Sequence, residues 1–209
     1  MGALILFVFS FMLQDPKVSS ATTLNANGTI SLTITNQYYS PLVAYAYSES
    51  FVEGKHGISG EQFTDSALTL VKPVPPGQQV SMSCGGGSNA TDRECTFRAA
   101  LFADGSIYGD PIWGQRILSR RKYAVSVLGD EIQDLLAVAQ PASTDEVIAI
   151  LTASRDRHIA GAGDQDLILL TRLYYGNGVH FIKVNSGATE AKVQRLIRSL
   201  QDAKSRAGG

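Results

Sequence analysis

The chain changes its hydrophobic period once, at Asp110–Pro111, and this change constrains the fold more than any other feature of the sequence. Before it, Thr29–Thr35 alternates polar and apolar residues, the period-two pattern of a strand with one buried face. After it, apolar residues recur at helical spacing. We therefore predict an α+β protein, with an N-terminal antiparallel β-sandwich over residues 22–111 followed by a helical C-terminal region over residues 112–209.

Further apolar runs support the sheet, and turn residues separate them. Leu42–Tyr47 is apolar on both faces, as expected of a central strand, and Pro73–Gly77 combines prolines and glycine in a turn. Short strands at this spacing predict a sandwich of immunoglobulin-like size. No family motif accompanies the pattern. The other runs predicted as strands are Ala67–Val71, Val80–Cys84 and Cys95–Phe102.

Capping residues mark the first two helices. Asp110–Pro111 supplies an N-cap and a proline at the first helical position, which predicts a helix that extends to about Gln140, either in one piece or broken at Gly129. Ser143–Glu146 reads S-x-x-E, a capping box, and predicts a second helix that extends toward His158.

The remaining segments are two further helices and one short strand-like run. Asp164 is predicted to cap the apolar segment Leu167–Tyr175, and Gly176–Gly178 is predicted to end it. Val179–Val184 is short and β-like. Ala188–Arg206 carries the apolar stripe of an amphipathic surface helix.

The N-terminus has the layout of a secretory signal peptide. Ala3–Leu13 is apolar apart from one serine, Pro16 follows, and Ser19–Ala21 offers small residues for a signal peptidase. The apolar run is shorter than the roughly 20 residues that span a bilayer. We predict a signal peptide over residues 1–21 and a mature chain that starts near Thr22.

Cleavage predicts an extracytoplasmic location, secreted or periplasmic, with membrane contact only through the N-terminal segment before cleavage. Two other interpretations remain open. The segment is retained in a membrane-tethered accessory protein, or it is an N-terminal core helix.

Both cysteines lie in one glycine-rich stretch, SCGGGSNATDREC, at Ser83–Cys95. A phosphate-binding loop requires a following lysine and helix, and a structural zinc site requires four ligands; neither pattern is present. An even cysteine count behind a signal peptide favours a disulfide. We predict a Cys84–Cys95 bridge, with the two cysteines facing each other on paired antiparallel strands. Two N-x-[ST] sequons, at Asn27 and Asn89, fall at predicted turns, and we interpret both as turn residues.

The charges are balanced overall but concentrated at one place. The formal net charge is −1, so no global field favours nucleic acid, and no nucleic-acid partner is expected. The densest positive charge lies early in the first helix, at Arg116, Arg120, Arg121 and Lys122. Positive charge near a helix N-terminus opposes the helix macrodipole. These residues are candidates for binding an anionic or protein partner; pairing with acids of the sandwich and a solvated face are the alternatives.

Catalytic patterns are weak. Ser154, Asp156 and His158 are close in sequence, but the chain has no G-x-S-x-G turn, and we predict a solvated helix end. Asp104–Asp110 is predicted as a turn and helix cap rather than a cation loop. We assign no catalytic residue, metal ligand or cofactor.

The sequence therefore favours an exported, non-enzymatic binding or structural protein. The alternative is an extracytoplasmic hydrolase with a site between the sandwich and the helices, involving His158 or His180.

Overall fold

The computed structural model describes residues 16–25, 28–69, 71–84, 90–138 and 143–208. Within these residues, two antiparallel sheets are followed by four helices, so the α+β class is confirmed. The strands are β1 (Val18–Leu24), β2 (Ile30–Asn36), β3 (Leu42–Glu53), β4 (His56–Asp65), β5 (Gln79–Cys84), β6 (Thr91–Phe102) and β7 (Ile107–Gly109). The helices are α1 (Pro111–Ala137), α2 (Thr144–Gly161), α3 (Gln165–Val184) and α4 (Thr189–Gly208).

Sheet A has the strand order β1-β2-β5, and sheet B has the order β4-β3-β6-β7. The alternation predicted for β2 is confirmed, because Leu32 and Ile34 are buried while Thr33 and Thr35 between and beside them are partly exposed. β3 is central in sheet B, as its two apolar faces predict.

The predicted disulfide is confirmed, but its predicted geometry is wrong. Cys84 ends β5 in sheet A, whereas Cys95 lies in β6 of sheet B. The bridge therefore joins the two sheets rather than two paired strands. It lies in a hydrophobic core to which both sheets contribute, including Ile34 of β2 and Phe102 of β6.

α1 packs on part of sheet B, where several of the sheet residues that face the helix are small. Tyr45 and Tyr47 of β3 belong to the core shared with sheet A, whereas the alternate residues Ala44 and Ala46 pack in a separate cluster with Ile117 of α1. Successive side chains of a strand point to opposite faces, so β3 separates two cores. Alanine side chains on the helix-facing side allow α1 to approach the sheet closely.

A further core lies among the helices, and α1 extends into it. Its members on α1 run from Ala124 to Leu135, beyond the part that packs on sheet B. α1 is continuous through Gly129, which resolves the open choice between one helix and two. The three predicted N-terminal caps are confirmed at Asp110, Ser143 and Asp164.

Three strands were not predicted, and two runs predicted as strand-like are wrong. β1, β4 and β7 are absent from the sequence prediction; β4 reads HGISGEQFTD, with too few apolar residues to give a strand signal. It forms because it pairs with β3 along its full length. The run predicted at Ala67–Val71 instead begins as a turn, in which the Asp65 carbonyl accepts hydrogen bonds from the amides of Leu68 and Thr69.

The prediction for Val179–Val184 is also wrong. This segment is the last part of α3, which continues through Gly176, Asn177 and Gly178. Each glycine costs a helix interior about 1 kcal/mol relative to alanine. Tertiary packing offsets this cost, because α3 buries Leu170, Tyr174, Tyr175 and Ile182 in the helical core.

The predicted signal peptide falls largely outside the described residues, but its end does not. Val18–Ala21 belong to β1, and Val18 is 4% exposed and opposite Asn36 of β2. Both sequon asparagines, Asn27 and Asn89, and the glycine stretch 85–87 lie outside the described residues. Across the part of the chain that is described, no helix has the length and apolar character needed to cross a bilayer.

Candidate functional site

The basic residues predicted as a binding surface lie on α1, and two of them pair with acids of β4. Arg116 donates hydrogen bonds of 3.0 Å and 2.6 Å to the two carboxylate oxygens of Glu61. Arg121 donates through Nε and Nη2 to the two carboxylate oxygens of Asp65, at 2.5 Å and 2.8 Å. Both pairs are bidentate, so each fixes the orientation of its guanidinium group as well as its position.

Arg120 and Lys122 differ from each other. Arg120 forms an ion pair with Asp166 in the first turn of α3, and its guanidinium carbon lies 4.3 Å from the centre of the Phe63 ring. Lys122 is exposed and forms no ion pair with any acid in the described ranges. Of the four predicted residues, Lys122 alone is therefore without an acidic partner in this part of the chain.

These ion pairs explain why basic residues crowd the first half of α1 against the helix macrodipole. Their acidic partners belong to β4 and α3, so the pairs hold α1 against both elements. The hydrogen bonds from Arg116 hold the pKa of Glu61 below its usual range. Asp65 is 8% exposed, and removing the partner of a buried charge is strongly destabilising.

A cleft of about 740 Å³ lies where sheet B meets the N-terminal ends of α1 and α3, and we call it the ion-paired cleft. Trp113 lines it, stacked on Phe63 with ring centroids 5.5 Å apart, and Arg116 lies 5.0 Å from the Trp113 ring centre. The charged residues of its lining are five acids and two arginines: Glu49, Glu61, Glu94, Asp164, Asp166, Arg98 and Arg116.

A second cleft, of about 650 Å³, lies between sheet B and helices α1 and α4, and we call it the basic apolar cleft. Arg121, Lys122 and Arg206 are its charged lining residues, and no acid lines it. The apolar residues of its lining are Val43, Ala67, Pro73, Leu101, Phe102, Ala103, Leu118, Val125 and Ala207.

The cations of the basic apolar cleft are mostly uncompensated. Arg121 is paired with Asp65, whereas Lys122 and Arg206 are exposed and pair with no acid among the residues that the structure describes. The sequence identified Arg121 and Lys122. It did not identify Arg206, because this residue comes from the last helix and only the packing of α4 on α1 brings it to the same cleft.

The hydrolase alternative would need His158 beside both a carboxylate and a serine. A carboxylate lies near His158, but in the described ranges Ser154 and His158 form no hydrogen bond with each other. His158 Nε2 lies 3.5 Å from Asp130 Oδ2. Ser154 instead donates to Asp134, and its Oγ accepts a hydrogen bond of 2.7 Å from Arg157. The serine and the histidine are therefore engaged with different acids. His180 is exposed on α3.

The Asp104–Asp110 segment contains the predicted turn and helix cap, with the unpredicted strand β7 between them. The Asp104 carboxylate accepts from the Ser106 amide at 3.0 Å, and that of Asp110 accepts from the Ile112 amide at 2.8 Å. In the described ranges, no cluster of three or more histidine, cysteine or acidic side chains is arranged to hold a metal ion.

The helical core contains one acidic group that the sequence did not reveal. Glu131 is 0% exposed, and neither carboxylate oxygen has a hydrogen-bond partner in the described structure. Burial, and secondarily the charge of Asp134, raise the pKa of Glu131 to about 8. Gly178 of α3 makes room for it, because a Cβ atom at Gly178 would collide with Glu131 Oε1. The sequence pattern placed Gly178 at a predicted helix end, so it carried no signal for this buried acid.

No family model, curated protein or solved structure matches the chain. We therefore infer the function from the chemistry of the two clefts.

Proposed function

We propose that this protein is an exported, non-enzymatic binding protein that holds an anionic ligand in the basic apolar cleft. One observation carries the proposal: three basic side chains and no acid line this cleft, and Lys122 and Arg206 have no acidic partner in the described chain. Charge is more effective in a concave, partly apolar site than on an open surface, because the local dielectric constant is lower.

The ion-paired cleft is the weaker candidate for an anion. Its lining carries more acids than arginines, and Arg116 is already bound to Glu61. An anion entering there would meet Glu49, Glu94 and Asp164. We therefore interpret the ion-paired cleft as the junction that holds α1 on sheet B.

Two features support export. The Cys84–Cys95 disulfide is of the kind that persists in oxidising compartments, and the apolar run Ala3–Leu13 has the length of a signal-peptide core. On this proposal the two sheets form a sandwich of immunoglobulin-like size that the disulfide crosses, and the helices complete the cleft beside it.

The test is binding of anilinonaphthalene sulfonate, an anionic apolar dye, measured by fluorescence at neutral pH and low ionic strength. The double variant Lys122→Glu/Arg206→Glu should bind the dye at least tenfold more weakly. The matched control is Lys55→Glu/Arg172→Glu, which makes the same charge change at two exposed residues outside both clefts. The control should bind like the unaltered protein.

Equal weakening in the two double variants would mean that only net charge matters, and the proposal would fail. Circular dichroism of both variants establishes that each is folded before the comparison is made.

A further inference from the structure

We infer that the ligand of the basic apolar cleft is a single-chain anionic amphiphile, an alkyl chain that carries one carboxylate or phosphate group. The inference rests on the proposed function, since it concerns the same cleft. It goes further by assigning the chemistry of both ends of the ligand.

The apolar part of the ligand follows from the walls. Leu118 and Val125 lie two turns apart on α1, and Leu118 keeps 37% of its surface exposed. Leu101 of β6, which packs in the same cluster as Ile117 of α1, is a further apolar residue of the lining. Partly exposed apolar side chains that converge on a concave space favour an apolar occupant.

The charged part follows from the cations. Arg121 uses Nε and Nη2 on Asp65, which orients the guanidinium and leaves Nη1 without a partner in the described chain. Lys122 is the next residue of α1, and Arg206 comes from α4. Charge complementarity therefore selects an anionic head group, because a cationic head would meet Lys122 and Arg206, which have no acidic partner in the described chain.

The size of the cleft is consistent with this ligand. Sites for small molecules have volumes of about 300–1,000 Å³, and the basic apolar cleft has about 650 Å³. A purely inorganic anion fits this cleft less well than an amphiphile, because it would contact the cations and leave the apolar walls without contact.

The experiment is a chain-length series of carboxylates, from butanoate through octanoate to dodecanoate, competing with the dye at concentrations below micelle formation. Each methylene buried contributes about 0.8 kcal/mol, so affinity should rise up to about fourfold per methylene until the cleft is filled. Octyl phosphate, compared with octanoate, distinguishes the two head groups. Dodecyltrimethylammonium should not compete.

Wall variants locate the chain. Leu118→Ala/Val125→Ala should weaken dodecanoate about tenfold and butanoate less than twofold. Leu136→Ala is the matched control, because Leu136 is an exposed leucine on the same helix outside this cleft. It should leave both affinities unchanged.

The outcomes separate the two proposals. If the dye binds through Lys122 and Arg206 but affinity does not depend on chain length, the amphiphile inference is wrong and the anion-binding function stands. If the cationic amphiphile competes as well as dodecanoate, the head-group assignment is wrong. If the charge variants do not weaken the dye, the proposed function itself fails.

Discussion

Asn36 in the sheet region and Glu131 in the helical region are both completely buried, yet their polar atoms have opposite surroundings. The Asn36 amide nitrogen donates to the carbonyls of Ser40 and Val74, at 3.0 Å and 2.9 Å. Its carbonyl oxygen accepts from the Tyr38 amide at 2.9 Å. Neither oxygen of Glu131 has a partner in the described structure.

The difference follows from the backbone. Asn36 ends β2, where the chain turns and peptide groups outside the strand ladders need partners. Glu131 lies inside a helical bundle, where each helix interior satisfies its own peptide groups and offers none to a neighbouring side chain. A buried polar side chain can therefore be strongly stabilising at a strand end and costly between helices.

The largest effect is expected at Asn36, whose side-chain nitrogen and oxygen both form hydrogen bonds. Asn36→Ala should lower the free energy of unfolding by about 4 kcal/mol, because it removes three hydrogen bonds and leaves the carbonyl of the buried Ser40 without this donor. Urea unfolding measures the change. Asn185→Ala is the control, since the Asn185 side chain donates one partly buried hydrogen bond to Phe181 and should cost about 1 kcal/mol. Similar losses in the two variants would contradict the role of Asn36.

The next largest effect concerns the covalent link of the sheet region. Cys84→Ala/Cys95→Ala should destabilise the protein by about 3 kcal/mol, because the bridge restricts the unfolded chain. Urea unfolding with and without a reducing agent measures this. The reducing agent should have no effect on the double variant, and an unaltered stability after reduction of the natural protein would show that the sheets do not need the bridge.

A smaller loss is expected at the N-terminal edge of the sheet region. A chain that starts at Thr22 lacks Val18–Ala21 and should lose about 2 kcal/mol, mainly from the buried Val18 side chain. A chain that starts at Pro16 is the control. On the proposal that the protein is exported, mass spectrometry of the mature chain should accordingly find an N-terminus before Val18. A natural N-terminus at Thr22, with stability equal to that of the control, would restore the cleavage point expected from sequence.

The smallest expected effect, counted per pH unit, is the change that Glu131 causes in the free energy of unfolding as pH is varied. The unfolded chain ionises Glu131 near its ordinary pKa of 4.5, whereas the folded chain keeps the proton until about pH 8. The folded state therefore binds more protons between these values, and its stability should fall as pH rises, by roughly 1 kcal/mol per pH unit. Above about pH 8 both states are ionised and the contribution levels off.

Glu131→Gln removes this titration, so its stability should depend less steeply on pH from 4.5 to 8. Urea unfolding at several pH values measures the slope. Asp202→Asn, a change at an exposed acid of α4, should keep the slope of the natural protein. Identical slopes in Glu131→Gln and the natural protein would show that Glu131 is solvated or paired.

Sequence reasoning succeeded where the structure is decided by neighbours in the chain. The caps at Asp110, Ser143 and Asp164 form their hydrogen bonds within three residues, so the local sequence predicts them. It failed at Gly176–Gly178, where local propensity argues for a helix end but packing against the helical core maintains α3.

For the same reason, the sequence predicted two of the three basic residues of the basic apolar cleft. Arg121 and Lys122 are adjacent in sequence, and their charge density is visible without a structure. Their different roles are not visible, because Asp65 and Arg206 come from distant elements.

By itself, the sequence determined the α+β class, the helix starts, the alternation of β2 and the existence of a disulfide, since each depends on short-range pattern or on the count of cysteines. Tertiary structure decided the rest. It paired β4 with β3, assigned β5 and β6 to different sheets, neutralised three arginines of α1 and left Lys122 and Arg206 beside an apolar cleft. These outcomes depend on which distant surfaces meet, because strand pairing, ion pairing and burial are properties of two segments together and not of either one alone.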